Sequence, residues 1–489
     1  MSLVAVLGLA AAIGLDALPG LGPPDSDVAA ATATSTALPA AEPTATQLPS
    51  PTDPPTAAPT PAPTPTASPG PTGPSAIGLQ PGSVNRASIN LRVTYDVRLR
   101  LGYDSRGFRV DSTMTIENTS GGPVDRLELN TAVARLGALK LTSTTVAGKP
   151  VAATVDDQTI VMPLGGVLPA GGTVTARVAY RATLRTNLAG SNWMFTRANG
   201  IVDAYRWLPW VSRPVAFSRP NYGDPYVTPV SPRVRVAVTT DRPLVIATSG
   251  DRVAASGLTQ TFVAENVRDF ALTASSDYRT ASAVVGDTTI RVYYLDGGPA
   301  SGLLAAARNA LTKMEALVGP YPYKTYRVAQ SAGGYAMEAP GLAWLPRNLD
   351  PSRISYLVTH ETAHQWFYGL VGGDQANEPF TDEAASDFLT RYVLRSRRAS
   401  TCATAPLDRS IYRYSSACYY EIVYIQGGNL LDDLRKKMGP TAFWKGFRAW
   451  IAAERFAIAP TKSLLETLDA HTPLDLVPTL RARFPRLYS

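Results

Sequence analysis

The sequence predicts an α+β multidomain protein, with an all-β N-terminal domain followed by a mainly helical one. Three observations carry that prediction. At 489 residues the chain is longer than a single hydrophobic core organises. Apolar and polar residues alternate with period two in short runs between residues 84 and 285. Beyond that the apolar spacing becomes helical, with Gly, Pro and Asp at the expected helix ends. A hydrophobic content of 45% against 17% charged residues fits folded, soluble domains.

Residues 1–24 read as a signal-peptide-like or anchor segment. Leu3 to Leu15 is apolar and breaks at Asp16 and Pro19, a length that suits a signal core better than a bilayer span. No basic residue precedes it, so cleavage and retention as the remnant of a longer anchor both stay open. Residues 25–83 are dominated by Ala, Thr and Pro, too poor in apolar side chains to offset chain entropy. A disordered stalk or linker is expected there, open to O-glycosylation. Together the two segments imply export to the cell surface or the extracellular space, with tethering to membrane or cell wall through the stalk.

All 46 Lys and Arg residues lie from Arg86 onward, with 34 of the 39 acids, so the folded body carries a net +12. Such a charge suits anionic polymers or lipid head groups, and equally an ordinary solvated surface. No basic run interleaved with aromatics points to nucleic acid, and no protein partner can be inferred.

The β domain (84–285) opens with Ile89, Leu91, Val93, Tyr95, Val97, Leu99 and Leu101 alternating against Arg92, Thr94, Asp96, Arg98 and Arg100, a strand with one buried face. Similar runs recur at Phe108–Ile116, Arg233–Thr239 and Thr289–Leu295. The second domain (286–489) begins with a helix over Leu303–Val318, stopped by Gly319-Pro320. Asp350-Pro351 reads as an N-cap followed by proline at the first helical position. Another helix is expected from about Pro379, and more from about Gly427. Cys402 and Cys418 are close in sequence and expected to pair, closing a loop worth on the order of 3 kcal/mol.

The helix opened by Asp350 carries His360-Glu361-Thr362-Ala363-His364, two of the three histidines in the chain. Four residues apart on a helix, the imidazoles share one face and can hold one zinc ion. Glu361 between them can take a proton from an activated water. Eighteen residues after His364 comes Glu383, a third metal ligand on the next helix. Two imidazoles and one carboxylate leave a fourth position for water, as a catalytic rather than a structural site requires. Asp387, one helical turn beyond Glu383, is a candidate acceptor for the second N–H of a ligating histidine, or else a solvent-facing acid. His471 reads as a loop histidine.

HExxH, eighteen residues, then Glu resembles the zinc signature of the aminopeptidase-N-like metallopeptidases (gluzincins, a family that includes leukotriene hydrolase). The phrase HETAHQWFYGLVGGDQANEPFTDEAASDF resembles its bacterial members. Gly334-Tyr335-Ala336-Met337-Glu338-Ala339 resembles the family's G-x-M-E-N motif, which implies that Glu338 binds the substrate's free α-amine. Ala339 stands where many members have Asn. Val423-Tyr424-Ile425-Gln426-Gly427-Gly428 resembles the Y-x-K-G-A segment, implying that Tyr424 stabilises the oxyanion, with Tyr419 and Tyr420 as rivals. Gln426 replaces the usual Lys.

Tyr205-Arg206-Trp207-Leu208-Pro209, Val267–Leu272 and Gly319–Tyr323 extend the likeness over about 85–489. The resemblance implies a thermolysin-like catalytic domain, one zinc ion, peptide substrates and removal of the N-terminal residue. The likeness is expected to be to the short form, without the large C-terminal helical domain of many members, and with it a more open cleft. The alternatives are an endopeptidase or general peptidase of the same fold, and a stalked binding module with a relic zinc site.

Overall fold

The computed structural model describes residues 78–489, so the segment expected at 1–24 and most of the linker expected at 25–83 lie outside the described residues. The end of that linker does not: Gln80 exchanges backbone hydrogen bonds with Val167 at 2.8 and 2.7 Å. Asp125 accepts the N–H groups of Val84, Asn85 and Arg86 at 2.7, 2.7 and 3.0 Å. Folded structure therefore starts before residue 84, because a carboxylate and a strand edge downstream satisfy this stretch of backbone.

The strand read from its alternation runs Leu91–Leu101, with Leu91, Val93, Tyr95, Val97, Leu99 and Leu101 buried and Arg92, Asp96, Arg98 and Arg100 exposed. It lies inside an eight-stranded sheet. One neighbour is Gly107–Asn118, antiparallel, and the other Ser231–Thr240, parallel. Two four-stranded sheets complete the β-rich region. Their shared core is heavily aromatic: the Phe108 ring meets Phe195 and Trp207 edge-on at 5.0 and 5.5 Å.

A five-stranded sheet begins the second region, in the order Arg279–Val285, Thr288–Tyr294, Thr325–Ser331, Leu342–Pro346, Met337–Ala339. The boundary expected at 285/286 thus falls inside a hairpin, whose turn carries Gly286 at φ 52°. The change from strand to helix spacing does not mark the boundary, because the second region opens with strands of its own sheet. Thr288–Tyr294 and Thr325–Ser331 are parallel, and the helix Ala300–Val318 makes the crossover between them. Gly319 ends that helix at φ 103°. Met337–Ala339 is the short strand at the sheet edge, with Glu338 opposite Ala343.

Helices fill the remainder. Asp350 caps as expected, accepting the Ser352 N–H at 2.9 Å. After a single 3₁₀ turn the helix Ile354–Ala363 follows. Two later helices each begin as a π-helical segment: Phe380–Ala384 leads into Ala385–Leu394, and Glu421–Gln426 into Gly427–Met438. A Cβ on Gly427 would sit 2.6 Å from the Ala384 Cβ, so glycine is what lets the two widened turns touch. His471 stands in the turn just past the helix Thr461–Ala470, as its C-cap, with Nδ1 2.8 Å from the Thr467 carbonyl oxygen. Among the described residues no helix is long and apolar enough to cross a membrane.

Fully buried Arg268 crosses between the two regions. Its guanidinium donates to the carbonyl oxygens of Thr228 at 2.9 Å and Ala457 at 3.1 Å, with longer bonds to Gly369 and Leu370. Burial without a carboxylate partner pulls its pKa down to about 10.

Candidate metal centre

His360 sits on the last turn of the helix Ile354–Ala363 and His364 caps it, so their side chains stack one turn apart. The π-helical turn Phe380–Ala384 brings Glu383 up to both. His360 Nε2 and His364 Nε2 are 3.2 Å apart, and Glu383 Oε2 lies 3.4 and 3.5 Å from them. Three ligands about 2.0–2.1 Å from a tetrahedral zinc would stand about 3.3 Å from one another. The triangle fits that ion. Glu383 Oε2 and Glu361 Oε2 are moreover buried without a hydrogen-bond partner among the described residues.

The surroundings fix the orientation of both rings. His364 Nδ1 lies 2.9 Å from Asp382 Oδ1, 3.1 Å from the Phe367 carbonyl oxygen and 3.1 Å from Ser386 Oγ. A proton held there leaves Nε2 as the donor atom. The other oxygen of Asp382 accepts from Gln375 Nε2 at 2.7 Å. His360 is held by flat contact instead: Tyr356 stacks on it at 5.9 Å and Tyr424 at 5.7 Å.

Asp387 does not hold a histidine. Its carboxylate accepts from the Tyr356 hydroxyl at 2.6 Å and from Arg391 Nε at 2.6 Å, and reaches His360 only through the Tyr356 ring. The acceptor is Asp382, next to Glu383 in sequence. Consecutive carboxylates serve the two nitrogens of one imidazole because the widened π turn aims both at His364. A reading based on α-helical spacing passes over it.

Glu361 is buried beside the triangle. Burial pushes its carboxyl up to about 7, with His360 and His364 pulling the other way. Glu338, Asp382 and His364 form a second cluster, with one ligand-type atom from each within 4.8 Å of the others. Burial pushes the Glu338 carboxyl well above its usual range; His364 opposes the shift, and Asp382 and Glu361 add to it. So many acids close together favour a positive charge in their midst.

Gln365 braces this arrangement. Its amide donates to the Ala339 carbonyl oxygen at 3.1 Å and accepts the Gly341 N–H at 2.8 Å, joining the edge strand of Glu338 to the histidine helix.

Of the three candidate tyrosines, Tyr424 stacks on His360, with Tyr419 and Tyr420 packed behind it at 5.9 and 4.7 Å. Burial, with Glu383 alongside, raises its phenol well above the usual value. Cys402 and Cys418 are joined in a disulfide. The loop it closes is tied to the Tyr424 segment by Gln426, whose amide donates to Ser400 Oγ and to the Cys402 and Ala403 carbonyl oxygens at 3.0–3.1 Å. Neither glutamine was legible as a site residue: an amide side chain gives no pattern until its partners are known.

No family model matches the chain, and neither does any curated protein. Solved structures do. The M1 zinc metallopeptidase of Deinococcus radiodurans superposes with a TM-score of 0.65 at 20% identity, over 81% of this chain and 95% of that one. A mutant of the Deinococcus radiodurans enzyme bound to a Tyr-Ser-Ala substrate gives 0.62 at 20%, over 80% and 94%. A two-domain M1 zinc metallopeptidase mutant bound to L-arginine gives 0.64 at 19%, over 82% and 94%. The chain has the fold of these peptidases, which is the one its sequence motifs implied.

Proposed function

We propose that this protein is a zinc-dependent aminopeptidase and that its helical half is a thermolysin-like catalytic domain. The observation that carries the reading is the donor triangle of His360, His364 and Glu383, with Glu361 beside it and the Glu338 carboxylate clustered at His364. His360 Nε2, His364 Nε2 and the Glu383 carboxylate would hold the ion. What zinc supplies in such a setting is Lewis acidity toward a scissile carbonyl and a water molecule.

The chain's own groups do the rest. Glu361 takes a proton from the attacking water and returns it to the leaving nitrogen. The Tyr424 hydroxyl donates to the oxygen on which negative charge develops. Glu338 pairs with the substrate's α-ammonium, and its edge strand Met337–Ala339 offers backbone groups to an extended peptide. The L-arginine and tripeptide in the related structures support peptide substrates with free N-termini.

Two measurements test this. Glu361→Gln is expected to keep its zinc and lose turnover by about 10³-fold or more; full activity in that variant would overturn the mechanism. Peptides with free N-termini should be cleaved and their N-acetylated forms should not, because acetylation removes the charge that Glu338 pairs with. Equal cleavage of both would replace the aminopeptidase reading with a general peptidase.

We also propose that the protein is exported and held at the cell surface. The apolar Leu3–Leu15, the Ala/Thr/Pro tract and the Cys402–Cys418 disulfide support this. Cell fractionation with a thiol assay checks it, and a cytosolic pool with two free thiols would refute it.

A further inference from the structure

A cleft of about 640 Å³ lies between the helices Ala300–Val318, Ala385–Leu394 and Gly427–Met438, away from the donor triangle. Six cations line it: Lys313, Arg391, Arg395, Arg397, Arg435 and Lys436. Among the described residues the one acid on its wall is Asp432. That carboxylate is shared by Arg397, Arg435 and Lys436 at 2.6, 2.9 and 2.6 Å. Arg397 also reaches Asp433, and Arg391 pairs with Asp387 behind the wall. Three carboxylates thus serve six cations, leaving a surplus of about three positive charges in one concavity.

Helix C-termini attract cations, and all three of these helices end here. That accounts for single residues, not for their convergence on one cleft around an overcommitted aspartate. Arg395 is the most telling. It ends its helix at φ 55°, a left-handed position that glycine or asparagine fills most easily. Its guanidinium makes no hydrogen bond or ion pair with any described residue. Leu317, Phe388 and Tyr392 supply apolar wall between the charges.

We infer that this cleft binds a small organic anion carrying two or more phosphate, sulfate or carboxylate groups. Its volume suits a small molecule rather than a polymer. Occupancy would be felt at the metal centre. An anion that recruits Arg391 competes with Asp387, which accepts from Tyr356, and Tyr356 stacks on His360.

The test uses a naphthalene disulfonate, whose sulfonates are poor zinc ligands, titrated calorimetrically into the zinc-loaded protein. Saturable binding is expected, about tenfold or more weaker in the double variant Arg395→Gln/Lys436→Gln. The variant's melting temperature is checked alongside; both side chains are exposed, so it should match wild type. Absence of saturable binding, or equal affinity in the double variant, overturns the site. A second arm rests on the peptidase reading: the disulfonate should change kcat or KM for an aminoacyl substrate in wild type and not in the variant. Binding without a kinetic effect would leave the site standing and remove its link to His360. A protein with no peptidase activity still answers the binding arm.

Discussion

Replacing Gly427 with alanine should separate catalysis from stability. The new Cβ would fall 2.6 Å from the Ala384 Cβ and 3.4 Å from Phe380 Cε2. Two such carbons rest about 3.5–4.0 Å apart, so the π-helical turns must part by about 1 Å. Overpacking of this kind costs about 1–3 kcal/mol. Gly→Ala inside a helix returns about 0.5–1 kcal/mol, so the net loss of stability is only about 0–2.5 kcal/mol. The site suffers more, because Ala384 follows Glu383 directly and Gly427 lies three residues after Tyr424. A displacement of about 1 Å in catalytic groups lowers turnover by on the order of 10²-fold. The assay pairs a thermal melt with kcat on an aminoacyl substrate. Gly302→Ala is the control: it also lies in a helix, but its Cβ would meet Ile354 Cδ1 at an ordinary 3.4 Å. It should be neutral or slightly stabilising and fully active. Wild-type turnover in Gly427→Ala would refute the reasoning, since it would mean that the spacing of the two turns does not set the geometry of Glu383 and Tyr424.

Asp382→Asn should weaken metal affinity about 10- to 100-fold through the lost negative charge facing His364 Nδ1; competition with a chelator measures it, and Asp387→Asn, at a residue that contacts neither histidine, should change it far less. Arg268→Met leaves several buried carbonyl groups without a donor and should cost roughly 2–5 kcal/mol, read as a lower melting temperature. Asp203, buried and accepting from Thr273 Oγ1 and the Ala332 N–H at 2.7 Å each, is pushed up to about 7 by burial. A carboxyl whose folded pKa is raised binds its proton more tightly when folded. Stability is therefore fullest at low pH and falls as pH rises from about 4 to 7, by roughly 3 kcal/mol for this group alone. Melting curves across that window should flatten in Asp203→Asn.

What the sequence revealed was what local geometry controls. The alternation of Leu91–Leu101 and the capping by Asp350 follow from neighbours in the chain, and so does the facing pair His360/His364. Glu383 was legible because its distance from the histidines resembles a family's zinc signature, not because anything near it announced a ligand. Asp387, the acceptor candidate where the structure has Asp382, shows where that reach ends. Helical periodicity assumes an α-helix, while the turn is π and packs against Gly427 some forty positions later. Gln365 and Gln426 were silent for the same reason, since their partners come from other segments. The boundary drawn at 285/286, where strand alternation gives way to helical spacing, falls inside a hairpin, because the second region itself opens with strands.

The brace made by Gln365 bears on how much of a peptide is removed at a time. Because one amide clamps the Glu338 strand to the histidine helix, the point that would grip a substrate's first nitrogen and the point that would attack a carbonyl form one rigid caliper. On the proposed aminopeptidase reading, a fixed gape would favour removal of one residue at a time. The step length would then depend on a glutamine that is itself neither a proposed metal ligand nor a proposed substrate-binding group.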